Sequence, residues 1–294
     1  MRWPNTRGAS DALARGRPEF CEARPGAWGD LRRRVLSAAV LGPMTLACIW
    51  LGAVPWTVLM ALAAAGLAAE WVRLCGGRAL ALPGVSVPAA VLAGGAAAAA
   101  GAAGLGLAVL AGAAVLLWPS ARRSGRGARL AAGIPYVGLA GIALIWLRRD
   151  GGIGRSNVLF VVLVVWASDI GAYLLGKLFG GPKLAPKISP GKTWAGAAGG
   201  LLGAIGVGLG TARLLQGSGA DLLHAALVAA GLGVVAQAGD LFESGIKRRF
   251  GVKDSGRLIP GHGGLLDRLD GVLAAAPAAA ALAVALGRGT LLWR

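Results

Sequence analysis

Residues 156–176 read SNVLFVVLVVWASDIGAYLLG, with Asp169 as the only charged residue. A helix over these residues rises about 30 Å at ~1.5 Å per residue, which matches the hydrocarbon core of a bilayer. The stretch therefore reads as a transmembrane helix. Eight further apolar stretches flank it, near 35–53, 57–72, 84–101, 104–118, 130–147, 194–212, 221–239 and 271–289. The boundary inside 84–118 is blurred by Gly94, Gly95, Gly101 and Gly104. At these lengths only helices satisfy their backbone groups in lipid. The expected fold is all-α: a polytopic integral membrane protein of about nine transmembrane helices. Small residues dominate many spans, which lets helix backbones approach closely.

Composition excludes the other broad classes. The apolar set AVILMFWYC makes up 56% of the 294 residues, Gly adds 50 and only 15% are charged, against about 25% in soluble domains. Mean hydropathy is +0.66, too high for a disordered chain. The formal charge of +17 does not imply nucleic acid, because the cations sit in short clusters between apolar runs instead of forming a face. The expected partner is the lipid bilayer. Cys21, Cys48 and Cys75 form no CxxC pair, and His224 and His262 stand far apart, so neither a zinc site nor a disulfide framework is indicated.

Orientation follows the Lys and Arg distribution. With the amino terminus cytosolic, 24 of the 30 basic residues fall on the cytosolic side and six outside. The cluster Arg148, Arg149 and Arg155 is the one dissonant outside loop. Residues 1–34 hold eight arginines and no apolar run long enough for a cleavable signal, so they are expected to form a basic cytosolic tail. The membrane domain then spans 35–294, with cytosolic loops at 177–193 and 240–270.

These two loops hold most of the polar chemistry. Lys177–Gly196 reads KLFGGPKLAPKISPGKTWAG, with three prolines, four lysines, Ser189 and Thr193. A punctuated loop of this kind, opening a helix near Thr193, can present ammonium and helix-terminal N–H groups to phosphate. It can equally be a positive anchor with turn residues. Gly239–Gly271 gathers Asp240, Glu243, Asp254, Asp267 and Asp270 with six cations. Asp267 and Asp270 share one face of a helix opening near Leu265, and Asp240 sits where the preceding span ends. Three carboxylates at one interface suit a divalent ion, since Mg²⁺ uses one or two carboxylates plus phosphates and water. The run Gly261-His262-Gly263-Gly264 permits φ > 0 and close approach of a ligand. The competing reading is a tight turn whose Asp residues stabilise the helix amino end. Asp169 is an intramembrane carboxylate and a functional candidate, or half of a buried ion pair. Glu70 is expected to snorkel or to pair with Arg73.

The residues Ser244, Lys247, Arg248, Lys253, Asp254, Gly256, Ile259, Pro260, His262, Gly263, Gly264, Asp267, Arg268, Leu269 and Asp270 together resemble the signature of the phosphatidate cytidylyltransferase (CDP-diacylglycerol synthase) family. Trp166, Asp169, Tyr173, Lys177, Lys183, Pro186, Ser189, Pro190, Lys192 and Thr193 resemble that family's other cytosolic loop. Gly191 and Ala195 depart from it, standing where members usually carry Lys (or another polar residue) and Glu. The resemblance implies transfer of a cytidylyl group from CTP to phosphatidate, releasing pyrophosphate, at the cytosolic face of a bacterial inner membrane. It implies Mg²⁺ held by Asp240, Asp267 and Asp270, with Lys253 and Asp254 also in the catalytic set and Asp169 in support. Substrate contacts fall to Lys183, Ser189, Lys192, Thr193, Ser244, Lys247, Arg248, His262, Gly263, Gly264 and Arg268. It also implies a homodimer. Two rivals are a CTP-dependent polyprenol or phytol kinase and a membrane transporter. The full His-Gly-Gly and Asp-Arg-Leu-Asp pattern weighs against the first. Acids concentrated at one interface weigh against the second.

Overall fold

A computed structural model describes residues 27–120, 127–256, 263–287 and 289–294, with the side chains of 27–38 and of 120 outside the description. Among these residues the helices are α1 Ala27–Leu51, α2 Ala53–Leu74, α3 Ser86–Ala99, α4 Ala103–Ser120, α5 Gly127–Arg148, α6 Gly151–Phe179, α7 Trp194–Gln216, α8 Leu222–Arg249 and α9 Leu266–Leu286. Each expected apolar stretch contains a helix. Six helices (α2 and α5–α9) are long and apolar enough to cross a membrane. The apolar parts of the others, Ala39–Leu51, Ser86–Ala99 and Ala103–Pro119, rise only about 20–26 Å. Of the tail expected at 1–34, residues 1–26 lie outside the described residues and 27–34 already belong to α1.

Two features depart from the sequence reading. The first polar loop is not helical or irregular throughout. It forms an antiparallel hairpin of β1 Lys183–Ala185 and β2 Ser189–Thr193, because its prolines and glycines cannot sustain a helix. Secondly, α8 does not end at Asp240 but continues to Arg249. Asp240, Glu243, Ser244 and Lys247 therefore lie on consecutive turns of one helix, where residues three and four apart are neighbours.

Side-chain hydrogen bonds set the helix directions. Trp71 Nε1 donates to Arg129 O at 2.8 Å and Trp56 Nε1 to Leu144 O at 3.0 Å, so α2 and α5 run antiparallel along their length. The carboxyl ends of α2, α6 and α8 and the amino ends of α5, α7 and α9 share one face of the bundle, and both polar loops lie there. Arg122, Arg123 and Arg126, counted with that face, lie outside the described residues.

The dissonant arginines find structural work on the opposite face. Arg148, 5% exposed, donates to Ile49 O, and Arg149 donates to Ala98 O. Both cap the last carbonyls of a neighbouring helix, a site that favours cations. Arg155 lies 4.2 Å over the Trp50 ring. The carboxyl-terminal residues are pinned there too. Trp293 is fully buried and stacks on Phe160 at 4.7 Å, while Asn157 bonds Thr290 O and Leu292 N.

The α6–α7 pair is the closest packed. A Cβ on Gly171 would stand 2.4 Å from Gly199 O, and one on Gly203 2.5 Å from Ala167 O. Only glycine permits this backbone contact, which is how small residues drive helix association where lipid supplies no hydrophobic force. The same logic joins α8 to α9, where a Cβ on Gly239 would stand 2.9 Å from Asp270 O. That contact brings Asp240 and Asp270 side by side.

Candidate active site

A polar pocket of about 480 Å³ opens at the loop-bearing face. Its walls come from the carboxyl half of α6 (Asp169, Tyr173, Lys177), from β2 and the first turn of α7 (Lys192, Thr193, Ala197), from α8 (Gln237, Asp240) and from the start of α9 (Asp267, Arg268, Asp270). Segments separated by up to a hundred positions in sequence thus converge on one cavity.

Thr193 builds one corner. Its Oγ1 accepts the Gly196 N–H at 3.0 Å, making it the N-cap of α7. The helix then starts at the pocket wall with Lys192 immediately before it, so the amino-terminal partial charge and an ammonium face the same space. Lys192 Nζ stands 2.5 Å from Asp240 Oδ2, tying the hairpin to the middle of α8. Arg248 reinforces this tie by donating to Ile188 O at 3.2 Å.

The second corner is the loop before α9. Asp267 accepts from Lys247 Nζ at 2.6 Å, from Ser255 N at 3.0 Å and from Gly264 N at 2.9 Å. Lys247 also stands 2.7 Å from the buried Glu243 Oε2, so one ammonium neutralises two carboxylates from adjacent helices. Gly263 adopts φ +85°, the left-handed conformation its sequence context suggested. A Cβ on Gly264 would collide with Ser255 and Glu70.

Asp169, Asp240 and Asp270 stand close enough to repel one another. Lys192 and Arg268 offset the charge on Asp169, and Lys192 also pairs with Asp240. Among the described residues, no three His, Cys, Asp or Glu side chains stand together closely enough to hold a metal ion alone. Asp240 and Asp270 face the pocket beside Asp169, whereas Asp267 is occupied by Lys247 and two backbone N–H groups.

Of the expected site residues, Asp169, Lys192, Thr193, Asp240, Asp267, Arg268 and Asp270 line the pocket. Ser244 donates to Asp240 Oδ1 at 3.4 Å, one turn behind the wall. Lys247, Gly263 and Gly264 shape the α9 loop. Lys183, Arg248, Lys253 and Asp254 are exposed, Ser189 is half-buried, and none of the five lines the pocket. His262 lies outside the described residues.

Sequence reasoning gave no role to Tyr173, Lys177 or Gln237, which line the pocket, and it misread Glu70. Gln237 lines the pocket and donates to Ala197 O at 3.2 Å, yet a lone Gln in an apolar span carries no spacing signal. Glu70 neither snorkels nor pairs with Arg73. It is 1% exposed and accepts from Leu266 N at 2.9 Å and Ser255 Oγ at 3.3 Å, anchoring the α9 loop from α2. An acid one turn from the end of an apolar span was the available sign.

A model described as the cytidylyltransferase family matches residues 32–286. The chain belongs to the cytidylyltransferase family. The match takes in α2–α9, all of α1 from residue 32 onwards, and both polar loops. Among curated members, a Brucella suis protein named phosphatidate cytidylyltransferase is 42% identical over 248 residues, covering 84% of this chain and 91% of that protein. Proteins of the same name from Pseudomonas aeruginosa and Staphylococcus epidermidis are 42% identical over 165 residues and 43% over 141, covering 56% and 48% of this chain and 60% and 54% of those proteins.

Proposed function

We propose that this family member is a phosphatidate cytidylyltransferase that converts CTP and phosphatidate to CDP-diacylglycerol and pyrophosphate. One observation carries the reading: Lys192 from β2, Asp240 from α8, and Arg268 and Asp270 from the start of α9 face a single polar pocket at the end of a membrane bundle. A nucleotide arrives from water and a lipid phosphate from the leaflet, and only such a boundary serves both.

A phosphatidate phosphate oxygen attacks the α-phosphorus of CTP. A new P–O–P linkage forms, the bond between the α- and β-phosphates breaks, and its electron pair leaves with pyrophosphate. Both reactants are anionic, so this chain contributes charge neutralisation and in-line positioning. Lys192 and the first turn of α7 would hold the triphosphate, and Arg268 the lipid phosphate. Asp169, at the base of the pocket, would keep these cations oriented.

Mg²⁺ suits the donor set. Asp240 and Asp270 are hard oxygen donors on adjacent helices, and Mg²⁺ takes one or two carboxylates and completes its shell with phosphates and water. Bound there, it would supply charge stabilisation at the phosphate oxygens. Asp240 would bind it on release from Lys192, and Asp267 would join only on release from Lys247. The basic loops on the pocket's face support a cytosolic active site, where they would also attract both anions, and the bacterial relatives support an inner-membrane location.

The test is transfer of label from CTP into the lipid phase by detergent-solubilised protein with Mg²⁺ and phosphatidate, beside Asp270→Asn. Mg²⁺-dependent transfer with equal pyrophosphate release, lost in the variant, is the expected result. Transfer of the γ-phosphoryl group instead, or none from folded protein, overturns the reading.

A further inference from the structure

Behind the polar pocket lies a second cavity of about 530 Å³, enclosed by α1, α2, α5, α6 and the start of α9. Asp169 and Arg268 line both cavities. They form the polar end of the second one, whose remaining wall is almost wholly apolar. Two of its other hydrogen-bonding side chains, Thr45 and Trp56, are already committed, which leaves the Trp166 indole. Thr45 Oγ1 donates to Leu41 O at 2.7 Å within α1, and the Trp56 indole donates to Leu144 O. A cavity that is charged at one end and almost wholly apolar beyond it suits an amphiphile with an anionic head.

Its depth fits one leaflet. Along α2 the wall runs from Leu67, near the polar end, to Trp56, which closes the far end and is 1% exposed. That span is about 16 Å at ~1.5 Å per residue, half of a ~30 Å hydrocarbon core. The side between α1 and α6 is open to the outside of the bundle, since the lining residues Leu41 and Ile170 are 39% and 60% exposed. A lipid could enter there from the bilayer without leaving apolar surroundings.

We infer that this chamber takes an acyl chain of the lipid phosphate substrate, and that Trp56 is the floor that sets which chain lengths fit. The inference rests on the function proposed above for the lipid and adds the residues that discriminate among its forms. With the phosphate held by Arg268, the chain descends past Gly141 towards Trp56, and a chain longer than the chamber must bend or leave through the α1–α6 side. Gly141 lines this path: a Cβ there would meet only Ala64 Cβ, at 3.9 Å, so a larger side chain would project into the space without striking the backbone.

The experiment measures binding of dioctanoyl, dipalmitoyl and diarachidoyl phosphatidate to the detergent-solubilised full chain by native mass spectrometry, and separately the rate of transfer from CTP to each. Gly141→Leu should lower the preference for the long chain over the short one by about tenfold, the effect of a few methylenes lost from apolar burial. Trp56→Leu should shift preference towards chains longer than palmitoyl. A long-to-short binding ratio unchanged in both folded variants overturns the inference. A shifted binding ratio with no transfer from CTP in the wild type would keep the chamber and sink the proposed reaction instead. Equal loss of both lipids in Gly141→Leu would mark the cavity as a packing feature and also overturns it.

Discussion

Glu70 Oε2, in the second helix, accepts the backbone N–H of Leu266 at 2.9 Å across 196 positions of sequence. One carboxylate in the α2–α5 half of the bundle thereby fixes where α9 begins. Since Asp267, Arg268 and Asp270 occupy the next turn, Glu70 also fixes where they face.

Replacing Glu70 tests that dependence. Glu70→Ala leaves the Leu266 N–H and the Ser255 hydroxyl buried without their acceptor, at a cost of about 1–3 kcal/mol each. Glu70→Gln keeps an acceptor and should lose far less. The expected order of thermal unfolding temperatures in detergent is wild type, then Gln, then Ala, with kcat falling in the same order. Equal stability of the Ala and Gln variants would show that the anchor is dispensable.

Lys247 stands between Glu243 and Asp267. Lys247→Met strands two carboxylates in partly buried positions, and breaking a buried pair in this way costs about 3–5 kcal/mol. Lys247→Met combined with Glu243→Gln should recover part of that loss, because one of the stranded charges is gone. A double-mutant cycle on unfolding should therefore be non-additive. Additive losses would mean that the three groups do not act as a unit.

Lys192 and Asp240 join the hairpin to α8. Lys192→Met should lower kcat/KM for CTP by about 10²-fold, the scale of one positioned donor removed from a developing charge. Asp240→Asn should instead raise the Mg²⁺ concentration needed for half-maximal rate. If both variants changed only the lipid KM, the assignment of this pair to the nucleotide end would be wrong.

The glycine seam predicts a contrast within one helix. Gly199→Ala in α7 places its Cβ 2.5 Å from Leu175 Cβ and 2.6 Å from Gly171 O. Forcing α6 and α7 apart should destabilise by about 1–3 kcal/mol and displace Thr193 from the pocket. Gly206→Ala, on the same helix with nothing within 4 Å, should be neutral or slightly stabilising. Unfolding temperature and yield of membrane-inserted protein would distinguish them.

Much of the site was legible before the fold. Lys192, Thr193, Asp240, Arg268 and Asp270 stood out because charge is rare in this chain, and a charge near lipid has to be accounted for. Asp267 was legible as a site residue, but its partners were not, since Lys247 is twenty positions away and reaches it only because α8 outruns the apolar stretch by ten residues. Apolarity marks where a span can stop, whereas hydrogen bonding decides where the helix does stop. Glu70 was misread for a related reason. Its nearest cation in sequence was Arg73, and nothing local revealed a backbone donor from α9.

By itself the sequence determined that this is a helical membrane protein, which apolar stretches carry its helices, and that its polar chemistry gathers in two basic segments on one side. Hydrophobic length, helix punctuation and charge placement are local properties, and local properties survive in one dimension. Tertiary structure alone decided that Asp169 joins Asp240 and Asp270, that Asp267 is neutralised by Lys247, that outlying arginines cap helices, and that an apolar chamber adjoins the polar pocket. Each of these depends on which faces of nearly uniform Ala- and Gly-rich helices meet. In such helices the apolar pattern names no face, so only the packed bundle can choose it.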